Sequence, residues 1–243
     1  MIAASLLAAA SAHAQIAWTV APKVPLGCTV PITITNDTAS EVLIGECTPW
    51  RVIDSNGAVV FDTNCNPFVP LPVPAGETLS FFWDQTDSVG QPLPAGSYTV
   101  FVDLQAGVGY PLELGGEATV APLGALRVGT TRHVRLCSPQ DAGLVHLLAA
   151  AFTSGAGIPL CATQLPLAPD ALFFLSLDPA ASFPSNGLGT LDAAGESSLP
   201  AFSVPLDPSL AGSDFRTAFA VLDPFAACPF VRASEALTLP ILP

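Results

Sequence analysis

The segment Trp50-Arg51-Val52-Ile53-Asp54-Ser55-Asn56-Gly57-Ala58-Val59-Val60-Phe61-Asp62 decides the fold class. Two runs rich in β-branched and aromatic residues flank Asn56-Gly57, a pair that tolerates the positive φ angles of a type I′ hairpin turn. With those two residues as the loop, Arg51 falls opposite Asp62 and Val52 opposite Phe61. A charge pair and an apolar pair then meet in register, the arrangement that stabilises an antiparallel ladder.

Outward from the hairpin the chain reads as strand after strand. Thr29 to Thr35 alternates with period two and stops at the turn pair Asn36-Asp37, and Glu41 to Gly45 follows as a further strand. Pro31 cannot donate to a ladder, which confines the first of these to an edge or a bulge. Downstream, Pro74-Ala75-Gly76 and Pro94-Ala95-Gly96 are turns that lead into Thr78 to Trp83 and Ser97 to Leu104. A short β-like run, Ala118-Thr119-Val120, closes this half. The chain is therefore divided into a first domain over 15–121, a linker over 122–126 and a second domain over 127–243. In the second, Thr131 to Cys137, Leu144 to Phe152, Leu172 to Leu177, Leu199 to Val204, Phe215 to Leu222 and Leu237 to Ile241 read as strands. Leu-Asp-Pro recurs at 177–179, 206–208 and 222–224 as a turn signal, without any repeat of the surrounding sequence.

Ahead of all this lies Ile2 to Ala10, an apolar stretch followed by Ala12-His13-Ala14, the small-x-small pattern of a signal-peptidase site. Residues 1–14 are read as a signal peptide and the protein as secreted or periplasmic. The longest later apolar run, Leu144 to Phe152, is about half of what a bilayer-crossing helix needs, so no membrane span is expected in the mature chain. Seven Lys and Arg against 20 Asp and Glu give a net charge of -13, which argues against nucleic acid as a partner. With 50% hydrophobic and 11% charged residues, the chain can bury a large core.

The first domain carries a sequence of motifs: Asp54-Ser55-Asn56-Gly57-Ala58-Val59-Val60, Pro74-Ala75-Gly76-Glu77-Thr78-Leu79, Trp83-Asp84-Gln85-Thr86-Asp87 and Pro94-Ala95-Gly96-Ser97-Tyr98-Thr99-Val100. Their order resembles the BsuPI-type proteinase inhibitor domain over about residues 28–104. That resemblance implies an immunoglobulin-like β-sandwich, with Gly57, Gly76, Trp83, Asp87, Gly96 and Tyr98 as its motif residues. The second domain, from Ile158-Pro159-Leu160 to Ala193-Ala194-Gly195, resembles an uncharacterised β-module of secreted bacterial proteins. The fold expected is all-β, two immunoglobulin-like sandwiches in tandem.

No catalytic apparatus is legible. His133 lies on a strand face and His146 inside an apolar strand, and neither has a second base or ligand beside it in sequence. There is no G-x-S-x-G elbow, H-E-x-x-H or paired C-x-x-C. Asp84 and Asp87 are read as an acidic turn in preference to a calcium loop, since calcium takes six to eight oxygens. Trp18, Trp50 and Trp83 are read as core in preference to a sugar platform. Arg127, Arg132 and Arg135 form the basic cluster of an acidic chain; at the domain junction they would meet the acidic first domain, but a solvated strand face is the preferred reading. Asn36-Asp37-Thr38 matches a glycosylation sequon and is explained equally by a turn.

The expected function is a secreted, non-catalytic structural or binding protein, with no cofactor and an unknown protein or surface partner. The alternative is an inhibitor of an extracellular protease acting through a loop of the first domain. Six cysteines in an exported chain imply disulfides. Cys47 and Cys65 flank the hairpin strands and are expected to pair, as are Cys161 and Cys228, whose connections share one end of an immunoglobulin-like sandwich. Cys28 and Cys137 remain, either as free buried thiols or as a bridge between the domains.

Overall fold

The hairpin is present, with a different turn from the one expected. In this computed structural model, which describes residues 16–44, 49–62, 70–102, 108–161, 163–178, 180–181 and 183–243, Arg51 pairs with Asp62 and Val52 with Phe61. Gly57 N donates to Asp54 O at 3.1 Å, and Gly57 alone takes a positive φ, +84°, so Asp54–Gly57 forms a type I turn instead of a two-residue type I′ loop. The added loop residue shifts Ile53 onto Val59, and a bulge between Val52 and Ile53 restores the register. Asp54 fixes the turn by accepting from Asn56 N at 2.9 Å and Ala58 N at 2.8 Å.

Among the described residues, ten strands precede residue 115: β1 (Ile16–Val20), β2 (Lys23–Val24), β3 (Val30–Asn36), β4 (Val42–Ile44), β5 (Trp50–Asp54), β6 (Val59–Asp62), β7 (Leu71–Val73), β8 (Thr78–Trp83), β9 (Gly96–Val102) and β10 (Gly109–Leu114). They form a sheet β1-β3-β8, a sheet β2-β10-β9-β5-β6 and a small pair β4-β7. The inward faces of the two larger sheets share one core, in which Trp18, Ile32 and Ile34 meet Val52, Val100 and Leu112. β3 is a central strand, against the expectation drawn from Pro31. The proline is tolerated because β1 stops pairing at Ile32, so Pro31 faces Phe82 of β8 on one side and no ladder on the other.

The second group is β11 (Thr119–Pro122), β12 (Leu126–Arg127), β13 (Thr131–Cys137), β14 (Val145–Ala151), β15 (Ile158–Leu160), β16 (Thr163–Leu165), β17 (Leu188–Thr190), β18 (Glu196–Ser197), β19 (Ala201–Ser203), β20 (Asp214–Leu222), β21 (Phe230–Ala233) and β22 (Leu237–Leu242). Its sheets run β11-β13-β18, with β19 also on β13, and β12-β22-β20-β14-β17, with β21 on β20. β11 pairs with β13, so the sheets change hands over residues 115–118, a few positions before the expected linker.

The two groups repeat one strand order although their sequences do not. In each, a short second strand lies parallel to the last strand: Lys23–Val24 beside Glu113–Leu114, and Leu126–Arg127 beside Ile241–Leu242. The chain is thus mostly β. The expected strand over Leu172 to Leu177 is instead a helix, α1 (Ala171–Leu177). An apolar run of this length suits either state, and Asp170 decides it by capping, its carboxylate accepting from Phe173 N at 3.0 Å. The helix covers the outer face of β14 and β20, where Ala149, Ala151, Ala218 and Ala220 are small enough for Phe173 to pack closely.

Candidate functional site

The motif residues of the first half hold turns and core. Gly76 has φ +77° and donates its N–H to Asn36 O at 2.8 Å; Gly96 opens β9 with an ordinary φ. Trp83 is buried and donates Nε1–H to Thr86 O at 3.0 Å, while Tyr98 donates its hydroxyl to Pro94 O at 2.9 Å. Trp50 stacks on Phe61 with centroids 5.0 Å apart and meets Trp83 edge-on at 6.0 Å. Trp18 is buried as well, so all three tryptophans serve the core, as expected. Asp84 accepts from Thr86 N and Oγ1, and Asp87 from Val89 N and Gln91 N, each carboxylate closing its own turn. Asn36 is fully buried, and its amide donates to Ser40 O and Val73 O, which removes it as a glycan acceptor.

His146 is buried on β14, and burial holds its pKa below the ordinary 6.5, opposed by a hydrogen bond with the Gly187 backbone. His133 lies exposed on β13. Cys161 is bridged to Cys228, as the sequence reading expected. Cys47 and Cys65 lie outside the described residues.

The two open sequence questions, the fate of Cys28 and Cys137 and that of the arginine cluster, resolve at one place. A disulfide joins Cys28, just before β3, to Cys137 at the end of β13. Beside it, Glu196 accepts from Thr29 N at 2.7 Å and Thr29 Oγ1 at 3.0 Å, and its second oxygen pairs with Arg135. Arg135 in turn lies over the ring of Phe82, 4.9 Å from its centroid. Arg127 pairs with Asp37, and Lys23 donates to Glu235 at 2.8 Å. These contacts overturn the solvated-face reading for Arg127 and Arg135. They also explain why Pro31, Thr33 and Thr35, on the outer side of β3, are buried: the second group covers that face.

Glu196 was not legible as a junction residue, because nothing in Ala194-Gly195-Glu196 marks a partner 167 positions away. Cys28, Cys137 and Glu196 are the one group of three metal-type ligands among the described residues, and the sulfurs are bonded to each other, which leaves a single carboxylate. Next to this seal is a cleft lined by Ser80, Phe82, Arg132, His133 and Ser198. Arg132 donates Nε–H to Ala125 O at 3.1 Å, which holds its guanidinium at that edge.

No family model matches the chain, and no curated protein matches it. Among solved structures it is similar to the transglutaminase of red sea bream at 14% identity, with a TM-score of 0.26. The match covers 94% of this chain and 31% of the enzyme, so the chain spans about a third of the enzyme's length. A likeness this slight carries no argument about activity.

Proposed function

We propose that the chain is an exported, non-catalytic binding protein built from two immunoglobulin-like sandwiches, divided at residues 115–118 and fixed in one orientation. The observation that carries this reading is the junction. A buried disulfide, the Glu196 carboxylate with three donor contacts, and two further ion pairs tie the halves together. A rigid two-module frame displays its loops and sheet edges in a fixed geometry, as a recognition surface requires. The shared strand order and the Tyr98 hydroxyl bond to Pro94 O at the start of β9, like a tyrosine corner, support the immunoglobulin-like assignment. Disulfides between positions far apart in the chain fit an oxidising compartment, and no described helix is long and apolar enough to cross a membrane.

The test is to produce the mature protein in an oxidising compartment and pass it over immobilised cell-envelope polysaccharide, envelope vesicles and extracellular protein from the host. Saturable retention by one of these classes supports the reading. Turnover of ester, glycoside or peptide substrates abolished by a single substitution would overturn it, and near-stoichiometric inhibition of a protease would replace it with the inhibitor reading.

A further inference from the structure

The second core does not close at one end. Val204, Phe215 and Ile241 are buried members of that core, yet they also line a cavity of about 430 Å³ whose other walls come from α1 through Leu172 and Leu175 and from Phe183. Protein interiors are close-packed, so an apolar space of this size beside a core forfeits dispersion contacts that a filled site would make. The rim is apolar too: Phe152 is 53% and Leu175 46% exposed.

The chemistry of the lining selects the occupant. Every described lining residue is apolar except Ser203, whose Oγ already bonds Thr131 Oγ1 at 2.7 Å. A ligand charge would find no partner there, and burying one unpaired is strongly unfavourable. The chain's net charge of -13 adds a general repulsion of anions. The volume is about three times that of a cavity that holds benzene, and it falls within the usual range for small-molecule sites. We propose that this cavity is a binding site for one neutral, hydrocarbon-like small molecule, the size of a medium-length alkyl chain or a two-ring aromatic. The site goes beyond the reading of the frame as a binding module: a failed cavity leaves that reading intact, because none of the residues substituted below makes one of the junction contacts.

The probe is N-phenyl-1-naphthylamine, neutral and fluorescent in apolar surroundings, titrated into the full chain. The expected result is a saturable signal with one site per chain, displaced by 1-decanol and about tenfold less well by decanoate. Leu210→Trp, which adds bulk to the lining, should weaken probe binding by about tenfold. Val89→Trp, placing the same ring at a 79% exposed position in the first half, should leave it unchanged. If Leu210→Trp fails to fold, Phe152→Asp at the exposed rim serves instead, with the same loss expected. Absence of a saturable signal, equal displacement by decanoate, binding undiminished in both lining variants, or a signal that follows dimer formation in light scattering would each overturn the proposal.

Discussion

Cys28 and Cys137 are 109 positions apart in the chain and 6.1 Å apart at Cα, joined through a disulfide that links the first group of sheets to the second. Closing so long a loop removes much of the unfolded chain's freedom. In the chain-entropy model the bridge contributes about 4–5 kcal/mol. Cys28→Ala with Cys137→Ala should therefore lower the urea midpoint markedly. Non-reducing peptide mapping of the native protein should recover Cys28 with Cys137 and Cys161 with Cys228; a Cys28 peptide linked elsewhere would contradict the junction.

Glu196 is nearly buried, with a side-chain exposure of 7%, and Arg135 opposite it stands at 17%. Glu196→Ala leaves that guanidinium without its carboxylate and both Thr29 donors without an acceptor. Removing one member of a largely buried pair should cost about 3 kcal/mol, read from equilibrium unfolding. Glu196→Ala in an Arg135→Met background should cost less, since no unpaired charge remains.

Two glycines test how much of a turn's requirement is backbone angle and how much is space. Gly57 has φ +84° with nothing within 4 Å of a Cβ built there, so Gly57→Ala should cost only the left-handed strain, about 1 kcal/mol. Gly195 has φ +75°, and a Cβ there would lie 2.2 Å from Ser138 O and 2.7 Å from Pro139 Cα. Both atoms are backbone, so Gly195→Ala should cost about 3 kcal/mol and displace Glu196 with it. Thermal melts of the two variants side by side decide the point.

His146 links stability to pH. Its folded pKa is depressed below 6.5 by burial, so between that lowered value and 6.5 the unfolded chain binds the extra proton and the folded one does not. Stability is therefore lost as pH falls below 6.5 and is unaffected by this group above it. Urea midpoints at pH 7.5 and 5.5 should differ more in the native protein than in His146→Leu. An identical pH dependence in both would show that His146 takes up its proton in the folded state.

The elements legible in the sequence are those whose evidence is local. The pairs Arg51 with Asp62 and Val52 with Phe61 follow from a loop and two alternating runs, and survived a mistaken turn type because a bulge restored the register. The burial of Trp18, Trp50 and Trp83 follows from side-chain chemistry alone. Where local evidence is balanced it fails: the apolar run at Ala171–Leu177 carries no period that separates helix from strand, and a cap bonded to Phe173 N tipped it.

What the sequence by itself determined was a β-rich, disulfide-bearing chain with its central hairpin register, its tryptophan core and the Cys161–Cys228 bridge. Only the tertiary structure decided that Cys28 meets Cys137, that Glu196 serves Thr29 and Arg135, that Pro31 sits in a central strand, and that the second core opens into a cavity. The physical reason is one of range. Alternation and turn chemistry act between neighbours and state which side of a strand faces inward. Which outer face is then covered, and by whom, depends on the docking of the two groups of sheets through residues far apart in the chain, up to 212 positions for Lys23 and Glu235, and no periodicity in either half records it.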